Sequence, residues 1–332
     1  MIASEILGLE PLQRLSRDIR TSAEELTTPQ ARYLVDLYYQ IQEYRKRAGN
    51  QERAMGVDGE PHALVTWVFA NMETLEGDIK RALDRYSSSR IPGRWAKSIT
   101  GIGPVLSAGM LAHVDITQCP TVGHIWRFAG LDPTSKWVGK VGAPKIVKEV
   151  MAGATTLTAE MVLEAARLAN RRTETVVRLA TNKEGHITPA SLTKMLAKRP
   201  WNAKLKTLCW LMGESFVKVC NHESDVYGHI YSQRKELEQA RNDAGEFANQ
   251  AAAALQNKKI GRDTDAYAAY SIGKLPPAHI HSRAKRYAVK LFLSHYHYVA
   301  YEVEYGEAPP KPYILTRPEH VHYIAPPNWP ME

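Results

Sequence analysis

Cysteine is nearly absent: the 332 residues include three, Cys119, Cys209 and Cys220, and no CxxC pair. That argues against a disulfide framework or a cysteine-built zinc site, and the thiols are expected to be reduced and buried. Long apolar runs are missing too. None approaches the ~20 residues needed to span a bilayer, so no membrane partner is expected. The segment MIASEILGLE carries neither the basic nor the apolar region of a secretory signal, and the expected setting is the cytoplasm. No P-loop, dinucleotide-binding glycine fingerprint or G-x-S-x-G elbow occurs, so no cofactor is expected. Strand-like alternation and internal repeats are lacking as well.

What is present is ordinary globular material, 44% hydrophobic and 23% charged, with one bias. Lysine and arginine number 43 against 35 aspartates and glutamates, a formal +8. Such an excess suits an anionic partner, a nucleic acid ahead of a membrane surface. The apolar spacing is helical through most of the chain. Leu9, Leu12, Leu15 and Ile19 mark a short amphipathic segment, and Thr28-Pro29 opens a helix expected to end near Ala48, closed by Arg45, Lys46 and Arg47. Residues 49–60 are expected to be a loop. A long helix follows from Pro61 to Tyr86, whose Leu64, Val68, Met72, Leu75, Ile79 and Leu83 could equally pack internally or pair two copies. Thr158 is expected to cap a helix through Ala180, and Thr188-Pro189 another through Ala197. Helical patterns recur over 221–254, 263–273 and 278–305, and a proline-rich tail with PPKPY and APPNWP is expected to lie extended on a surface.

The stretch WAKSITGIGPVLSAGMLAHV, Trp95–Val114, organises this series. Trp95 and Ile99 share a helix face, Gly101 and Gly103 flank Ile102, and Pro104 suits the first turn of a new helix. This is a helix-hairpin-helix pattern, hxxhxGxGxxxA. Its turn would offer backbone N–H groups at a helix N-terminus to a phosphate oxygen, without reading base sequence. Gly103 is expected to need either a positive φ or an absent Cβ at that approach. Arg90, Arg94 and Lys97 precede it and would thicken the positive field.

With FAGLDP and the basic helix KRPWNAKLKTLCWL, the run resembles the C-terminal domain of insertion-sequence transposases of the bridge-RNA type, which pair an N-terminal RuvC-like half with a helix-hairpin-helix module. The resemblance implies DNA handling in transposition or recombination. Three features depart from it. The first ninety residues show helices rather than an α/β half with acidic metal ligands. The family's catalytic serine, in a serine-glycine pair about five residues past the AGLxP proline, aligns with Val138-Gly139, the nearest hydroxyl being Ser135. Residues 141–197 interrupt the module.

Histidine pairs His279/His281, His295/His297 and His320/His322 resemble metal-ligand spacing, but His295 and His297 fall in an expected helix where i and i+2 face apart. No metal site is expected. The expected fold is mostly α, built around a helix-hairpin-helix module: an N-terminal helical region (1–90), the hairpin core (91–140), an inserted helical module (141–197), a C-terminal helical region (198–306) and the tail (307–332). The expected function is DNA binding, with RNA an open alternative, in mobile-element or phage DNA handling. Lys97, Gly101, Ile102, Gly103, Lys136, Lys140, Arg199 and Lys204 are the candidate contacts. The alternatives are an active transposase or recombinase using Ser135 with an acidic site from a partner chain, and a non-catalytic assembly protein.

Overall fold

The computed structural model describes residues 14–56, 63–257, 259–311 and 323–331. Leu9, Leu12, Pro61, His320, His322 and part of PPKPY lie outside them. Among the described residues there are fifteen α-helices and no strand, only an isolated bridge pairing Thr181 with Ile187, so the chain is mostly α. In order these are α1 (Arg17–Ser22), α2 (Thr28–Met55), α3 (Ala63–Ser88), α4 (Ile91–Lys97), α5 (Pro104–His113), α6 (Val122–Phe128), α7 (Gly139–Met151) and α8 (Ala159–Leu168). Then come α9 (Thr173–Ala180), α10 (Pro189–Ala197), α11 (Ala203–Lys218), α12 (Tyr227–Asp243), α13 (Ala248–Asn257), α14 (Asp265–Ser271) and α15 (Pro277–Tyr305). The chain divides into two compact units, Met1–Val122 with Trp210–Glu332, and Gly123–Cys209.

In the first unit, α2 starts one residue earlier than its Thr-Pro signal indicated. Thr27 is the N-cap, and its backbone N–H donates to Gln30 Oε1 at 2.9 Å in a capping box. The helix also runs on to Met55 rather than stopping near Ala48. Gly49 does not break it, because a Cβ there would lie 2.9 Å from Phe69 Cε2: the glycine lets α3 approach closely. The core is aromatic. Trp95 stacks on Phe292 at 5.7 Å, and Phe216 on Tyr227 at 5.0 Å, all four fully buried. Burying such rings supplies a large share of the apolar area that holds helices together. The Trp95 indole N–H donates to Pro327 O at 2.8 Å, and the Asn328 side-chain amide to Ser98 O at 3.0 Å. The described tail, 323–331, is irregular and is tied by these bonds to α4 and the turn after it.

Two expected continuous helices are interrupted. Asn170 adopts φ 52°, and the Arg171 N–H returns to Ala166 O at 2.8 Å, ending α8 and separating it from α9. Gly245, at φ 80°, separates α12 from α13 in the same way, with the Glu246 N–H on Arg241 O. The second unit closes around small apolar residues, among them Ala143, Val147, Val162, Ala166, Val176, Leu192 and Leu196. Thr158 and Thr188 cap α8 and α10 as their sequence signatures indicate, accepting from Met161 N–H and Ser191 N–H.

Candidate nucleic-acid interface

The turn between α4 and α5 lies in the first unit. Gly101 has φ 94°, the left-handed region that glycine favours, and donor geometry is built around it. Ser215 Oγ donates to its carbonyl, and a Cβ there would meet Ser215 Oγ and Val219 Cγ2 at 3.2 Å. Gly103 behaves differently from expectation. Its φ is −88° and ψ 177°, extended backbone open to any residue, and nothing described lies within 4 Å of where its Cβ would be. Ile102 is buried, and its N–H donates to Ile99 O at 2.9 Å, so that amide is turned inward rather than toward a ligand. What the turn presents is Gly103, the exposed N-cap of the ten-residue α5, whose first turn no side chain caps.

The basic residues upstream are each bonded to neighbouring groups of the first unit. Lys97 pairs with the Asp84 carboxylate and the Ser88 hydroxyl. Arg90 donates to Tyr86 O at 2.9 Å and to Glu24 O and Leu26 O at 3.2 Å, with its guanidinium 3.9 Å from the Tyr86 ring. Arg94 donates to Ser88 O at 3.3 Å. These cations brace α3 and α4. Lys97→Ala is therefore expected to lower stability by about 1 kcal/mol or less, as for a partly exposed ion pair. It should leave the salt dependence of any DNA binding unchanged. A titration in which the slope of log K against log salt drops by about one would put Lys97 on a phosphate instead.

The charge lies in the second unit. Residues 123–209 hold fifteen lysines and arginines against six aspartates and glutamates, a formal +9, while the rest of the chain holds 28 against 29. The whole of the net +8 therefore falls on that unit, a division no composition average reveals. Lys136, Lys140, Arg199 and Lys204 are all exposed there, and Lys136 and Lys140 make no ion pair among the described residues. Lys140 sits in the first turn of α7, and Lys204 in the first turn of α11. Cations oppose the dipole at a helix N-terminus, so a bound anion at either place would offset both.

Around these residues the AGLDP turn and the two flanking tryptophans build one cluster. Asp132 accepts from Thr134 N–H at 2.9 Å and Thr134 Oγ1 at 2.8 Å, with Ser135 Oγ at 3.5 Å. Burial alone would raise the Asp132 pKa, but the Thr134 bonds, the Arg127 charge and the Ser135 hydroxyl together hold it below the usual carboxylate range. Ser135 thus faces an ionised carboxylate of low basicity, a poor activating base. Trp137 donates its indole N–H to Ala197 O at 2.9 Å, and the Arg199 guanidinium lies 5.1 Å from its ring. Trp201 meets Trp137 edge-on at 6.4 Å, Lys206 Nζ sits 4.1 Å from the Trp201 ring, and a Cβ on Gly130 would fall 2.7 Å from that ring. Neither tryptophan stood out in the sequence, although each is preceded within three residues by a basic side chain. At the head of α11 the Asn202 side chain accepts from the Lys204 and Leu205 N–H groups at 2.9 and 3.1 Å.

The histidine pairs lie in the first unit. His295 Nδ1 bonds the Tyr227 hydroxyl at 2.7 Å and its Nε2 the Ile324 carbonyl at 2.8 Å, whereas His297 Nε2 bonds the Cys119 carbonyl at 2.8 Å. The two rings face apart, as their spacing on a helix requires. Burial pushes His295 down to about 4 despite the Ile324 carbonyl, so the ring is neutral and locked. His281 and His279 bond Tyr231 and Tyr270 hydroxyls. Among the described residues no group of three or more His, Cys, Asp or Glu side chains is placed to hold a metal ion, and no helix is long and apolar enough to cross a membrane.

Residues 94–177 match the family model of the IS116/IS110/IS902 transposases. The match covers about a quarter of the chain. It takes in the Gly101 turn, the AGLDP turn and Trp137, and it relates this stretch to transposases. Neither the curated proteins nor the solved structures contain a match to the chain.

Proposed function

We propose that the protein binds the phosphate backbone of DNA in a transposition-related role, and that it does so without catalysing strand transfer itself. The single observation that carries the reading is the confinement of the net positive charge to Gly123–Cys209, with Lys136, Lys140, Arg199 and Lys204 exposed. The transposase match over 94–177 supports DNA as the anion. In the first unit the uncapped start of α5 at Gly103 offers a helix-hairpin-helix type of phosphate contact, through fewer amides than the motif promised. Backbone contacts of this kind position a duplex and carry no base code.

The test is a fluorescence anisotropy titration of the full chain against unrelated duplexes over a range of salt. Log K is expected to fall with log salt by about 0.9 per neutralised phosphate, and to differ little between sequences. Affinity that stays flat between low and physiological salt, or no binding at all, overturns the reading and favours an assembly protein.

Ser135→Ala is expected to leave DNA binding and any DNA-dependent activity unchanged, since among the described residues the acid–base neighbour at its hydroxyl is the low-pKa Asp132. A covalent protein–DNA adduct seen on a denaturing gel with the wild type and lost in this variant would restore the recombinase.

A further inference from the structure

We infer that Trp137, with Arg199, forms a stacking platform for an unpaired base of single-stranded DNA, the flanking phosphates being taken by Lys136 and Lys140. The inference rests on the DNA-binding reading above and names the form of DNA that its second unit takes.

Trp137 is 45% exposed although its one polar atom is already satisfied by the Ala197 carbonyl. Nothing polar draws this ring into solvent, and the same hydrogen bond pins its orientation. Trp201 walls one side, edge-on at 71°, and is itself held against Gly130 and Lys206. Two residues beyond Trp137, Gly139 adopts φ 69°, where a Cβ would come into ordinary contact with the indole, 3.8 Å from Cε2.

The chemistry of this arrangement is that of a base site. An indole face and a guanidinium suit a flat, π-rich ring, while flanking ammonium groups suit the phosphates of the same strand. An acidic peptide would use the cations and leave the indole idle. Bases of an intact duplex are stacked on one another and cannot reach the ring, so the ligand must have an unpaired stretch. Stacking accepts any base, consistent with a protein that reads no sequence.

The experiment measures anisotropy with a labelled oligothymidylate, the matching duplex and an oligouridylate, at one salt concentration, alongside thermal melting. Trp137→Ala is expected to weaken oligothymidylate binding about tenfold or more and duplex binding less than about twofold. Trp137→Phe should keep most of the affinity, because it keeps a π face. If Trp137→Ala melts early, Trp137→Leu keeps the bulk without that face and should show the same selective loss. Unchanged oligothymidylate binding, or an equal loss on both DNAs, overturns the stacking site while leaving backbone binding standing. Tighter wild-type binding of oligouridylate overturns the assignment to DNA. A wild type that binds neither DNA removes the underlying reading as well.

Discussion

Replacing Lys136, Lys140 and Arg199 together by alanine is expected to weaken duplex binding about a hundredfold near physiological salt. The slope of log K against log salt should flatten by about 2.7 at the same time, at ~0.9 for each lost phosphate contact. Both numbers follow from counterion release. They hold only if the three side chains meet phosphate, which is why the two must move together. The three are exposed, Lys136 and Lys140 are not engaged in ion pairs among the described residues, and Arg199 gives up a 5.1 Å contact with the exposed Trp137 ring, so their removal should leave the melting temperature nearly unchanged. A matched control separates local contact from bulk charge. Arg47, Lys80 and Lys259 are exposed cations of the first unit, and their joint replacement removes the same charge from a part of the chain that is close to neutral. The control should keep the wild-type slope. Equal losses from both triples would mean that total charge, rather than a face of Gly123–Cys209, governs binding.

How much of this could be read from residues alone depended on how local the physics was. Caps were legible because Thr158 and Thr188 bond amides three residues on, and the opposite orientation of His295 and His297 followed from helical geometry. The end of α2 was not legible. Gly49 looks like a breaker until Phe69, twenty residues away, is found lying against it. The same holds for the cations before the hairpin: Lys97 reads as a free charge, yet Asp84 and Ser88 claim it through the packing of α4 on α3. The candidate site followed this rule too. The exposed lysines were visible, but the charge partition needed the boundaries of the second unit, and the Trp137–Trp201 pair joins residues sixty-four apart.

The hairpin is tested by its two glycines, which the structure places in opposite situations. Gly101→Val should destabilise the protein by several kcal/mol. A β-branched residue at φ 94° carries about 1–3 kcal/mol of strain, and its side chain would also press on Ser215 and Val219, each already at 3.2 Å from the Cβ position. The melting temperature should fall by roughly 5 °C or more. Gly103→Val should fold and melt close to wild type, because φ −88° with ψ 177° is ordinary extended backbone and nothing described crowds the site. That tolerance makes it the informative variant. An isopropyl group on the N-cap of α5 stands where a phosphate would approach the first-turn amides, and duplex affinity should drop several-fold with stability intact. Gly101→Ala, less strained than valine, checks that binding follows the turn's conformation and is not lost through unfolding. A folded Gly103→Val protein that binds duplex as tightly as wild type would remove the hairpin from the interface. The charged unit would then have to account for DNA binding by itself, and the GIGP turn would be a packing device between α4 and α5.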